Sequence, residues 1–500
     1  MDRRTFLRAG AATGAVGAVG AGAALLGGPA RSAQLFGGIT DRTWAAFEAG
    51  LEGDLVRPGE SGYAAAHRLY DPRYDGIRPT AVVRAEALSD VVETIKFARA
   101  HDLTLRPRSG GHSYVGVSTG TGAIQLDLTR MRRVRYDAGE ATVQAGARLF
   151  DVHDTLDGHG RTIPTGTCPT VGVSGLTLGG GVGVESRLLG LTCDALTEAV
   201  VVTADGAVHR TSASREPNLF WALRGGGGGN FGVVTRYTFR TFASRSAGFF
   251  FLHYRSADAE QVVRGWLARL PAMPRSSWAN VHLDATSGGI DVRIVGLSTT
   301  GDGHAEAARL EASIGRPVTQ ATFFTRSHHD AVRLLAGCST RTDQECHLVP
   351  AGELPRESFA AGSDVIAGGV TQLDAAVRLV RRRGLAGGGG SLILDPLGGA
   401  VGDLTPGATA FPWRRAKGIA QWYVPLPASA GSSTVDAAYS WVRSGHSAFG
   451  SASAGGYVNY LEPGRALRTY YGSNFDRLRR VKAAVDPTNF FHSKYSVPRP

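Results

Sequence analysis

The chain has few of the patterns that mark common nucleotide, metal and hydrolase proteins. No GxxxxGK[ST] occurs, which removes a P-loop site. The glycine run 179–183 lacks the GxGxxG spacing of a Rossmann turn, so a nicotinamide cofactor finds no support there. The stretch GVSGL (172–176) lacks the GxSxG spacing of a serine-hydrolase elbow. No metal site is evident. His328 and His329 are sequence neighbours that cannot share one helix face, which reads them as surface residues. After residue 33 no segment is long and apolar enough to span a bilayer, so stable membrane insertion is not expected. No internal repeat is detectable. The net charge of +11 is dispersed, and three units of it lie in the first 33 residues. The short clusters RRR (381–383) and RLRR (477–480) read as solvated helix faces, not as a nucleic-acid surface.

What is abundant is glycine, 68 of 500 residues, gathered in loops such as RGGGGGN (224–230). A chain of this length needs more than one core. Its N-terminus carries DRRTFLR (2–8), then a mildly apolar Ala/Gly stretch to residue 27. Residues 1–33 therefore resemble a twin-arginine export signal, cut near Ala30 or Ala33, of a route that carries folded proteins. The mature chain is expected outside the cytoplasm. Of the four cysteines, Cys338 and Cys346 are compatible with a disulfide in that compartment, and Cys193 reads as a small buried hydrophobe.

Three regions follow. In 72–243 the pattern predicts strands at TAVVRA (80–85), LTLRP and AIQLDL, and a helix over 90–101 opened by Asp90 with Glu93 in capping-box spacing. A hairpin over 198–211 turns at Asp205-Gly206. Region 244–450 alternates strands with amphipathic helices, which predicts an antiparallel sheet with helices on one face. The tail, 455–500, carries YVNY and a helix over YGSNFDRLRRVKAAV.

The stretch RPRSGGHSY (106–114) sets a histidine directly behind two glycines at a strand end. Taken alone, it fits a plain turn as well as an anion nest of backbone N–H groups. Beside TGTCPTVGVSGLTLGGGVG (165–183), GLTCDALTEAVVVTADG (190–206), LFWALRGGGGGNFGVVT (219–235) and the YVNY tail, it resembles the berberine-bridge-enzyme-like FAD oxidases. These belong to the vanillyl-alcohol-oxidase, or PCMH-type, superfamily. The implied fold class is α+β: a PCMH-type FAD-binding domain (72–243), a substrate domain (244–450), and a C-terminal segment (455–500) that completes the first.

The resemblance implies FAD attached twice, through the imidazole of His112 and the thiol of Cys168. It implies cofactor contacts from Arg108, Ser109, Gly110, Gly111 and Ser113, from Gly175, Gly179, Gly180 and Gly181 along the ring and ribitol, and from Gly232 and Val234 beside the adenosine. Tyr460 matches the family's catalytic tyrosine, framed by Tyr457 and Asn459. Free tyrosine has a pKa of about 10, so a charge or hydrogen bond is expected to lower it. Gln421 and Tyr423 share one face of the strand GIAQWYVPL (418–426) by period-two alternation and are candidate cleft residues. Val171, in CPTV, matches a position that resembles an oxygen gate. Relatives with FPHR have a histidine where this chain has Trp413, so no role is carried over there. The implied reaction takes hydride from a hydroxyl-bearing carbon to flavin N5 and returns electrons to oxygen, giving hydrogen peroxide. Oligosaccharides and glycosylated or polycyclic metabolites compete as substrates. Oxidative cyclisation, and a non-catalytic metabolite-binding role, remain as alternatives.

Overall fold

The computed structural model describes residues 39–368 and 370–500; the expected export signal lies outside the described residues. Four short strands open the fold: β1 (Asp54–Val56), β2 (Ala81–Arg84), β3 (Leu105–Arg108) and β4 (Ile124–Asp127), in the order β1-β2-β4-β3. β2 and β3 both run parallel to β4, while β1 pairs antiparallel at the edge. All four positions of β4 are buried, as expected for a parallel strand covered on both faces. The sheet thus takes its edge strand from ahead of residue 72.

The crossover from β2 to β3 is the helix Leu88–Ala100, whose Val91, Ile95 and Ala98 are buried against the sheet. Asp90 does not open this helix; it is the third helical residue. Its carboxylate reaches back to the backbone N–H groups of Glu86 (2.8 Å) and Ala87 (3.2 Å) and across to those of Glu52 (2.7 Å) and Gly53 (3.0 Å). The side chain therefore satisfies free N–H groups at the helix start and ties the edge strand to it.

A second, antiparallel sheet contains β5 (Val134–Asp137), β6 (Glu140–Gln144), β8 (Leu196–Val202), β9 (Val208–Ser212) and β10 (Val233–Arg240), in the order β5-β6-β10-β8-β9. β7 (Arg161–Thr162) pairs with β11 (Phe242–Ala243) beside it. The β8–β9 turn is the expected one: Gly206 has φ 83°, and Asp205 accepts from Thr203 Oγ1 (2.6 Å) and Ala207 N (3.1 Å). One hydrophobic core spans both sheets and also takes in Tyr470, Leu478, Phe491 and Val497 from the C-terminal segment. Lys482, fully buried, is satisfied there by Asp486 (2.7 Å) and by the carbonyls of Asn230 and Phe491 (both 2.6 Å). Its helix starts only at Phe475, behind a short turn of 3₁₀ helix.

The third sheet has seven strands: β12 (Ala247–Tyr254), β13 (Ser277–Thr286), β14 (Gly289–Ser298), β15 (Gln320–Arg326), β16 (Ser358–Ile366), β17 (Ser391–Pro396) and β18 (Gly418–Leu426). Their order is β15-β12-β14-β13-β17-β18-β16, and every neighbouring pair is antiparallel. Helices Ala259–Arg269, Val370–Leu385 and Ser432–Phe449 pack on one face, against Val281, Leu283, Leu392, Leu394, Ala420 and Trp422. The intervening residues, among them Asn280, His282, Ile393, Asp395, Gln421 and Tyr423, point the other way into a cavity. Period-two alternation thus gives this sheet one apolar face and one chemical face.

Cys338 and Cys346 are joined as a disulfide, and Cys193 is a buried free thiol. His328 is not a surface residue. It is 8% exposed, with Nδ1 3.0 Å from Asp157, and it docks the helix His328–Leu335 on the helix Leu149–Asp157. GVSTG (116–120) does carry GxSxG spacing, but it lies in a loop with no helix behind it, so no elbow forms.

Candidate active site

The site grows from two turns pressed together. A Cβ on Gly110 would stand 2.1 Å from the backbone nitrogen of Gly172, and a Cβ on Gly172 would stand 2.2 Å from that of Gly110. Only two glycines allow this approach. Arg148 donates through one nitrogen to the carbonyls of both Gly110 (2.9 Å) and Thr170, clamping the two turns. Burial lowers its pKa to about 10, with Arg108 adding to the effect. The result gathers His112 and Cys168 around one hydroxyl. Thr170 Oγ1 is 2.9 Å from His112 Nε2 and 3.7 Å from Cys168 Sγ. The His112 ring also stacks on Tyr70 at 3.8 Å and 19°. Thr170 and Tyr70 escaped sequence reasoning because nothing in their spacing announces a partner.

A cavity of about 490 Å³ extends from here. Its lining includes Ser109, Gly110, Gly111, Ser113, Val171, Gly175, Gly232 and Val234, together with Tyr457, Asn459 and Tyr460. Gly172 and Gly227–Gly229 also line it. A Cβ on Gly175 would meet nothing within 4 Å, so the missing side chain leaves room inside the cavity. Four expected contacts do not line it. Arg108 turns its guanidinium inward to the carboxylate of Asp127 and the carbonyl of Arg68 (2.6 Å), holding the ends of β3 and β4 together. Gly179, Gly180 and Gly181 are glycines for packing: added Cβ atoms would stand 2.0 Å from Asn459 Oδ1, 2.9 Å from the Phe411 ring and 2.2 Å from Thr192 Oγ1. The remaining walls fit a flavin nucleotide, with bare backbone for phosphates and an imidazole and a thiol placed together for the ring.

Residues 79–212 match the family model described as FAD binding domain, and residues 456–498 the one described as berberine and berberine like. The chain is 32% identical over 439 residues to the uncharacterized FAD-linked oxidoreductase YgaK of Bacillus subtilis, covering 84% of this chain and 91% of that protein. It is 30% identical over 447 residues to the xylooligosaccharide oxidase of Thermothelomyces thermophilus, covering 84% and 87%. The chain belongs to the berberine-bridge-enzyme-like FAD oxidases. A solved chitooligosaccharide oxidase superposes with a TM-score of 0.82 at 26% identity, over 91% of this chain and 99% of that one.

In this FAD-dependent oxidase, the 3₁₀ turn Val458–Tyr460 carries the tyrosine pair. The Tyr457 hydroxyl accepts from Gly181 N (3.0 Å), Val182 N (3.3 Å) and Asn459 Nδ2 (2.9 Å), which pins the turn over the glycine run. Burial raises its pKa to about 12 against those donors. Asn459 spends its other amide hydrogen on Leu176 O (3.1 Å). Trp413 lies beneath: its Nε1 donates to Gly456 O (2.9 Å), and its ring packs where a Cβ on Gly455 would stand, so it braces the turn from outside the cavity.

Tyr460 stacks on Tyr114 at 5.1 Å and 6°. Its pKa is raised well above the ordinary value, first by burial and then by the charge of Asp395. The expectation of a lowered pKa is therefore reversed, because loss of water around the hydroxyl dominates and the carboxylate of Asp395 adds to it. Asp395 is half-buried at the cavity wall, and the loss of water around its carboxyl pushes its own pKa up to about 6 although Asn280 Nδ2 donates to it (3.1 Å). The same Asn280 nitrogen lies 3.0 Å from His282 Nε2. Burial, aided by Arg293, lowers the pKa of His282 to about 3 and keeps the ring neutral. Gln421 donates to the Tyr114 hydroxyl (2.7 Å), and Tyr423 stacks on Phe359 at 5.2 Å. Asp395 was the residue sequence reasoning missed. Its one signal was a lone acid in the apolar strand SLILDP, on the face opposite Leu392 and Leu394.

Proposed function

We propose that the protein dehydrogenates a hydroxyl of a neutral oligosaccharide, with Tyr460 and Asp395 taking the hydroxyl proton and oxygen serving as the electron acceptor. The observation that carries this reading is a half-buried tyrosine and a carboxylate of raised pKa, each within the other's electrostatic reach, in the cavity that His112 and Cys168 also line. Tyrosinate is not the resting state at such a pKa. Tyr460 instead relays: its oxygen takes the substrate proton as its own moves toward Asp395, which is an acceptor above about pH 6. Bound FAD supplies the hydride acceptor and the return of electrons to oxygen. His112 and Cys168 are the residues we assign to its covalent attachment, with Thr170 orienting both.

The substrate class follows from the walls and the relatives. Trp278, Phe359 and Tyr423 offer flat apolar faces, while Asn280 and Gln421 offer amides. Such a lining suits the alternating faces and hydroxyls of a sugar. Two of the similar proteins are named for oligosaccharides. The resemblance of residues 1–33 to a twin-arginine signal supports action outside the cytoplasm.

The test is a screen of oxygen uptake with neutral oligosaccharides and aromatic glycosides, followed by anaerobic flavin reduction. Tyr460→Phe should slow reduction by about 10²–10⁴-fold, the usual cost of losing a general base. Reduction at the wild-type rate would move the proton acceptor elsewhere. Acid-precipitated protein should stay yellow, with one flavin mapped to peptides of both His112 and Cys168; flavin free in the supernatant would overturn the double attachment.

A further inference from the structure

Outside the cavity, behind the turn that carries Tyr457 and Tyr460, lies a second set of charges that the reaction does not use. His446, near the end of the helix Ser432–Phe449, sets Nδ1 2.7 Å from Asp364 Oδ2 and Nε2 2.8 Å from Glu462 Oε2. Both ring nitrogens face carboxylate oxygens, so only the doubly protonated ring can donate to both. Arg465 adds Nη1 to Glu462 (2.9 Å) and Nη2 to Asp364 (3.2 Å). Two carboxylates, one guanidinium and one imidazolium make a neutral cluster. The acids are 0% and 2% exposed, and the bases 18% and 15%. Tyr470, whose hydroxyl lies 3.4 Å from Glu462 Oε1, is the remaining ionisable group with a hydrogen bond to the cluster. Ser453 Oγ (2.6 Å) and Trp422 Nε1 (2.9 Å) complete the shell of Asp364.

The cluster joins three elements: the helix Ser432–Phe449, β16 and the segment that follows the tyrosine turn. Asp364 belongs to β16, and its neighbour Ser363 accepts the backbone N–H of Tyr457 (2.9 Å) and holds Arg465 through its carbonyl. Ala454 N bonds Val365 O and Val365 N bonds Gly455 O, both at 2.9 Å. Glu462 lies so close on β16 that a Cβ on Gly362 would stand 2.5 Å from its Oε2. Residues 454–462, with the tyrosine turn in the middle, are thus fixed at both ends by this cluster and its strand.

We infer that His446 is a positioning residue for the oxidation: as an imidazolium between Asp364 and Glu462 it locks the Tyr457–Tyr460 turn onto the substrate sheet, so the reaction rate depends on a proton held outside the cavity. A neutral ring can donate to only one of the two acids. Deprotonation therefore removes one hydrogen bond from a buried carboxylate, leaves the cluster with a net negative charge and loosens one end of the turn. Burial opposes the charge on His446, but its hydrogen bonds to Asp364 and Glu462 prevail and raise its pKa above the ordinary imidazole value. A displacement of about 1 Å at a reacting group can cost on the order of 10²-fold in rate.

The inference rests on Tyr460 as the proton relay, and the test separates the two. Anaerobic reduction by a saturating oligosaccharide is followed against pH in the wild-type holoenzyme, in His446→Gln and in the charge-balanced pair His446→Gln with Glu462→Gln. Wild-type reduction should fall on the alkaline side, with KM nearly constant. His446→Gln should be slower by on the order of 10–10²-fold at all pH values. The charge-balanced pair should recover part of that loss and show no alkaline fall, and it decides the matter if the single variant does not fold. An unchanged alkaline fall in the pair overturns the inference, as does a neutral His446 ring at pH 7 in ¹⁵N spectra of the wild type. A Tyr460→Phe enzyme reduced at the wild-type rate overturns the relay instead, while the alkaline dependence on His446 would stand.

Discussion

Along the turn behind β3, the cofactor cavity is walled by main chain: Gly110 and Gly111 offer nothing but backbone, and Gly172 presses against them. Across β13, β17 and β18 the same cavity is walled by every second side chain, from Asn280 and His282 through Asp395 to Gln421 and Tyr423. At Gly110 and Gly172 the first wall has no room for an added carbon. The second can exchange one side chain for another while the opposite face of the sheet keeps its apolar core. A scaffold built this way can hold one cofactor and change its substrate.

The sharpest way to break that contrast is to change one residue on each wall. Gly110→Ala places a Cβ 2.1 Å from backbone that cannot swing aside, and the purified protein should carry no flavin absorbance. Gln421→Ala, on the second wall, should keep full flavin content and change KM alone. A Gln421→Ala protein that loses its flavin would erase the distinction.

Asp395→Asn is the next largest effect and tests the chemical face directly. The rate of flavin reduction should drop by about 10²–10⁴-fold, and the wild-type loss of rate below about pH 6 should vanish from the profile. The same substitution should stabilise the fold. The folded carboxyl holds its proton up to about pH 6, whereas the unfolded one releases it near 3.8. Between these values the folded state binds more protons, so wild-type stability declines as pH rises through that window. Above it, Asp395→Asn should gain on the order of 2–3 kcal/mol in denaturant unfolding, and at pH 3 nothing.

The smallest effect is expected at Val171, a partly buried side chain on the cofactor wall. One added methylene in a close-packed site fills a small void. Val171→Leu should slow reoxidation by oxygen in stopped flow while reduction by sugar and turnover with artificial acceptors stay nearly constant. If both half-reactions slow together, the pocket itself has been disturbed and Val171 is no gate.

The contrast also explains what could be read in advance. His112, Cys168 and the glycines beside them lie in contiguous motifs, since a main-chain site needs its residues next to one another along the chain. Asp395 lies far from Tyr460 in sequence, and only the order β13-β17-β18 brings it to Asn280 and the cavity. The same blindness sent Tyr460 the wrong way in pKa, because neither its loss of water nor the charge of Asp395 could be seen. Arg108 and Gly179–Gly181, which do not line the cavity, show a second limit. They sit inside the right motifs but serve the contacts between turns, and a motif does not separate residues that touch a ligand from those that shape the backbone around it.

The position of the C-terminal residues sets an order of events during synthesis. Lys482 and Val497 bond to Asn230, a residue of the glycine-rich loop, and Ser493, Tyr495 and Ser496 supply part of the cavity wall. A wall begun by residues around β3 is therefore finished by residues made much later. A chain cut short of these residues should be unable to retain the cofactor. Once it is captured, the molecule cannot be threaded through a narrow channel without reopening the wall, so whatever moves the loaded protein must take it whole.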